Sequence, residues 1–113
     1  MEMLAMMEKE FTTALNDISH KAEMLQISTK EKQAGAIEES QEQLEEAEDL
    51  LKQIELETVS MKPNEKTPYQ LRLKKYKEDL EEAKVKVAKM EHQHKFQMDK
   101  ETAMGGYYNP NDK

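Results

Sequence analysis

Apolar residues recur along this chain at steps of three and four, the spacing that gathers them on one side of an α-helix. Leu4, Met7, Phe11, Ala14, Ile18, Ala22 and Leu25 form a first stripe and predict a helix over residues 2–26. "QISTKEKQ" interrupts it, and Ser28 or Thr29 can cap the next helix. A second stripe of Ile37, Leu44, Ala47, Leu51, Ile54 and Met61 predicts a helix over 30–60, with Ser40 and Thr58 in polar slots of the same register. "MKPNEKTPYQ" then breaks the pattern. Pro63 ends the second helix, and three signals predict a third over 68–103: Thr67 as N-cap, Pro68 at the first helical position, and Gln70 three residues past the cap. Its stripe is Tyr69, Leu73, Tyr76, Leu80, Ala83, Val87, Met90 and, less regularly, His94.

The turn between the second and third helices is short, so those helices lie antiparallel. The predicted fold class is all-α: an antiparallel three-helix up-down-up bundle with left-handed, coiled-coil-like packing. Composition agrees. Of 113 residues only 36% are hydrophobic and 5% aromatic, with three Gly and three Pro, which suits a thin bundle cored by a stripe. "GGYYNPNDK" after Met104 reads as a linker. The expected organisation is a helical domain over 1–104 and a flexible segment over 105–113, in a chain expected to be a piece of a longer one.

The net charge of −7 divides unevenly along the chain. Residues 1–61 carry fifteen acidic and five basic side chains, and residues 62–113 carry nine and twelve, or −10 against +3. Opposite signs favour the two segments lying together, although each screened surface pair contributes only about 0–1 kcal/mol. The acidic total argues against nucleic acid as a main partner. Seven acids and no base occur between Glu38 and Asp49. That run is either a solvated helix face or a docking surface for a basic partner.

Candidate chemistry is sparse. Without cysteine, disulfide and thiolate chemistry are excluded. There is no apolar run of membrane-span length, and the opening "MEMLAMMEKEF" lacks the pattern of a signal peptide. His20 stands alone, and His92 and His94 are two apart, so they point to opposite sides of a helix and do not share a metal unaided. No phosphate loop, nucleophile motif or dinucleotide fingerprint is present. No enzyme activity, cofactor or metal is expected.

"LEEAEDLLKQIELE", a Pro-containing turn and "YQLRLKKYKEDLEEAK" resemble the N-terminal domain of the Vti family of Q-SNAREs (vesicle transport through interaction with t-SNAREs). The positions that carry the likeness are Glu45, Glu46, Ala47, Leu50, Leu51, Gln53, Ile54 and Glu57, then Tyr69, Arg72, Leu73, Tyr76 and Lys77. Upstream, "MEKEFTTALNDISHKAE" resembles the family's first helix, with a Glu and an aromatic near its start.

The resemblance implies a Habc-type domain that precedes a SNARE motif and a membrane anchor, neither of which lies in this sequence. It implies a regulatory role in vesicle traffic between Golgi, endosomes and vacuole or lysosome, at their cytoplasmic face. It also implies binding to an epsin-related ENTH-domain adaptor, and to other SNAREs through the missing motif. Leu50, Leu56, Leu71 and Val85 fall outside the stripes, some as core rim and some as apolar points among charges. Leu56 and Leu71 flank the second turn beside Arg72 and Lys77, and these four are the candidate partner-binding residues. The competing expectation is a self-associating coiled coil without SNARE function; the favoured one is a monomer.

Overall fold

A computed structural model describes residues 2–101. Three helices account for nearly all of it: α1 (Glu2–Met24), α2 (Lys30–Val59) and α3 (Pro63–Glu101), with a short 3₁₀ turn at Leu25–Ile27. All three pack against one another, and the fold is an all-α three-helix bundle. The segment 105–113 lies outside the described residues.

The stripes close on each other as their spacing requires. Toward one end, Leu4, Met7 and Phe11 of α1 meet Ala47, Leu51 and Ile54 of α2 and Leu73 and Leu80 of α3. Toward the other, Ile18, Leu25, Ile37, Ala83, Val87 and Met90 form a second cluster, and Leu15 and Leu44 pack against both. Low numbers of α1 thus meet high numbers of α2 and low numbers of α3, which is up-down-up. Ser40 and Thr58 are buried as their register predicts. Thr58 donates its hydroxyl to the Glu55 carbonyl at 2.8 Å. Ser40 Oγ is enclosed with no hydrogen-bond partner.

The first connection agrees with the sequence expectation. Thr29 is the N-cap of α2, its side chain accepting from the Lys32 amide at 3.2 Å. The second does not. α3 begins at Pro63, five residues before the expected Pro68, so the turn is only Ser60–Lys62. Pro63 occupies the first helical position, where its missing N–H is no loss. Amides of Glu65 and Lys66 bond back to the Lys62 carbonyl at 3.0 and 2.9 Å. Thr67 is therefore inside the helix and caps nothing; its hydroxyl donates to the Pro63 carbonyl at 3.0 Å. Pro68 comes next within the helix, where it removes a single intrahelical hydrogen bond on an exposed surface.

Candidate partner-binding surface

At the end of the bundle that holds the α2–α3 turn, Glu8 and Arg72, which lie outside the stripes, join α1 to α3 together with Tyr69 and Tyr76 of the third stripe. Glu8 of α1 is mostly covered and accepts three hydrogen bonds from α3. Its Oε1 receives Arg72 Nε at 2.8 Å and the Tyr76 hydroxyl at 2.6 Å, and its Oε2 receives Arg72 Nη2 at 3.3 Å. The Arg72 guanidinium also lies over the Tyr69 ring, 4.5 Å from its centroid. The Tyr76 ring meets Phe11 at 5.0 Å, tilted by 52°. Each member satisfies another, so the cluster is a clip between the first and last helices.

Electrostatics agrees with the geometry. The hydrogen bond that Arg72 donates to Glu8 raises its pKa above the usual value, against the opposing effect of burial. Burial, then the bond to Glu8, pushes the Tyr76 phenol up to about 12. Both groups keep their protons, and neither is poised for acid–base work at neutral pH.

The four candidate residues divide. Leu56 and Leu71 are 71% and 69% exposed. Each sits two residues from a buried neighbour, Ile54 and Leu73, or about 200° around its helix, so they face outward from α2 and α3 respectively. Arg72 is held in the clip, and Lys77 pairs with Glu55 of α2 at 2.7 Å. A shallow groove between α2 and α3 is lined by Glu55, Val59, Lys66, Gln70, Lys74 and Lys77, and neither Leu56 nor Leu71 enters it. Of the other two off-register residues, Leu50 packs at the core rim and Val85 is exposed.

At the opposite end Gln33, 2% exposed, donates to the carbonyls of Leu25 at 2.9 Å and Ser28 at 3.3 Å. With its amide nitrogen so used, its oxygen must accept, which assigns the proton to His94 Nδ1 at 3.0 Å. His94 is thus a core-edge residue that ties α3 to the first turn, while His20 and His92 are exposed. Among the described residues no group of three His, Cys, Asp or Glu could hold a metal, and no helix is long and apolar enough to cross a membrane.

A model of the family described as vesicle transport v-SNARE protein N-terminus matches residues 1–91. The chain belongs to this v-SNARE family. No curated protein and no solved structure matches it. The family match spans every residue of the v-SNARE domain's clip, from Glu8 to Tyr76. The sequence singled out Tyr69, Arg72 and Tyr76, and a Glu near the start of the first helix, but gave Glu8 no partner. The signal available was its spacing, one turn before Phe11 and one residue from the buried Met7.

Proposed function

We propose that this v-SNARE N-terminal domain is of the Vti type and serves as a regulatory, adaptor-binding domain in traffic between Golgi, endosomes and vacuole or lysosome. The observation that carries this reading is the family match over residues 1–91. The clip supports the finer assignment, since Tyr69, Arg72 and Tyr76 of the Vti-like segment meet Glu8 and Phe11 of the Vti-like first helix. The role is binding. An ENTH-domain adaptor docks at the turn end of the bundle, with Leu56 and Leu71 as apolar anchors and Lys77 at the polar rim. Association with other SNAREs belongs to a SNARE motif outside this sequence, and membrane attachment to an anchor beyond it.

Calorimetric titration of an ENTH-domain adaptor tests the site. Leu56→Ser and Leu71→Ser are each expected to weaken binding about tenfold, and Lys77→Glu less, with helicity unchanged. Arg72→Glu is uninformative because it breaks the clip. Wild-type affinity in all three variants would remove the adaptor from this face.

A further inference from the structure

The acid-rich stretch of α2 has two fates in the fold. Acids that face α3 find bases: Glu48 pairs with Lys84 at 2.9 Å and Glu55 with Lys77 at 2.7 Å. On the α1 side Glu39 pairs with Lys21 at 3.7 Å, and the acids nearer the middle of α2 find no base. An open groove runs between α1 and α2 with Ala14, Leu50 and Met6 along its length. Glu10 and Asp17 of α1 and Glu46 and Asp49 of α2 edge it, against a single base, Lys9. Glu10, Glu46 and Asp49 have no ion-pair partner among the described residues. Asp17 accepts only the Gln43 amide, at 3.2 Å. Like charges therefore line both edges of one trough, and α3, which holds most of the bases, meets these helices from another side. Packing within the bundle does not account for that repulsion.

We propose that this α1–α2 groove is a second docking site, separate from the turn surface, and that its occupant is a basic amphipathic helix of a protein partner. Charge complementarity selects a Lys/Arg-rich guest. The apolar line of Met6, Ala14 and Leu50 selects one with an apolar row. From Met6 to Asp17 the groove runs about 16 Å, three turns of helix. A guest there adds a fourth helix to the bundle with ordinary groove packing. An anionic lipid surface is repelled by the same rim, and the acids do not converge as a cation site requires.

The test uses a synthetic helix-forming peptide of fourteen residues with Leu at every third or fourth position and Lys elsewhere. Nitrogen-15 amide shifts of the whole chain are monitored during its titration. Shifts should concentrate on Thr13, Asp17, Gln43 and Glu46, and binding should weaken as salt is raised. Glu46→Lys/Asp49→Lys should bind about tenfold more weakly, and a Lys/Ala peptide of equal charge should lose affinity similarly. Leu56→Ser should bind the peptide like wild type, which separates this site from the adaptor surface. Four results would each overturn the proposal: no binding, shifts spread along the chain, equal affinity for the Lys/Ala peptide, or unchanged affinity in the charge-reversed variant.

Discussion

The Tyr76 hydroxyl leaves water to donate to Glu8, and burial beside that carboxylate pushes its pKa up to about 12. An unfolded chain releases the same proton near 10. The folded pKa is the higher of the two, so the stabilisation is complete below about pH 10 and is lost as pH rises through about 12. Tyr76→Phe should therefore cost about 1 kcal/mol at pH 8, with the gap to wild type closing between pH 10 and 12. Urea midpoints across that range measure it; a gap that stays constant would detach the phenol from the clip. Arg72 shows what spacing cannot supply. Periodicity assigns a face on one helix, but Glu8 is 64 residues away, and only the packed bundle brings it to Arg72. A side chain read as a free charge partner is thus already committed.

Helices as units were the most legible part of the sequence, because each stripe is a one-dimensional record of one buried face. Their starts were legible where the two candidate caps, Ser28 and Thr29, lie one position apart and illegible where two prolines lie five apart. Thr67-Pro68 and Lys62-Pro63 both precede a helical pattern, and the nearer proline wins because the hydrophobic contacts of Met61 and Tyr69 keep the turn tight. Gln33 was equally hidden, since an amide that satisfies two carbonyls of a preceding turn has the same letter as a solvated one. The two threonines now predict opposite outcomes. Thr29→Ala should lower stability by about 1 kcal/mol through loss of the α2 cap. Thr67→Ala should change it by less than about 0.5 kcal/mol, because an exposed helical threonine gives way to a better helix former. Thermal melts of both variants compare them directly, and a larger loss at Thr67 would return the helix start to Pro68.

At the scale of the whole molecule, the charge imbalance between halves becomes a set of seams. Lys77 and Lys84 of α3 meet α2, Arg72 meets α1 and Lys21 of α1 meets Glu39 of α2, while Glu10, Glu46 and Asp49 line the α1–α2 groove without an ion pair among the described residues. The self-associating coiled coil needs apolar stripes left open, and here all three are closed within one chain. The turn at Ser60–Lys62 also sets an order of events in time. Closing α2 onto α3 across three residues costs little chain entropy, whereas the bond from Glu8 to Tyr76 spans 68 positions. The helical hairpin is expected to form early and the clip to lock afterwards, once α1 has docked. Glu8→Gln should then speed unfolding several-fold while leaving refolding near the wild-type rate, as stopped-flow dilution in urea would read. Slowed refolding would instead place the clip in the nucleus. A late-closing contact governs how long the bundle survives once built, so the clip is a latch on the lifetime of the folded state.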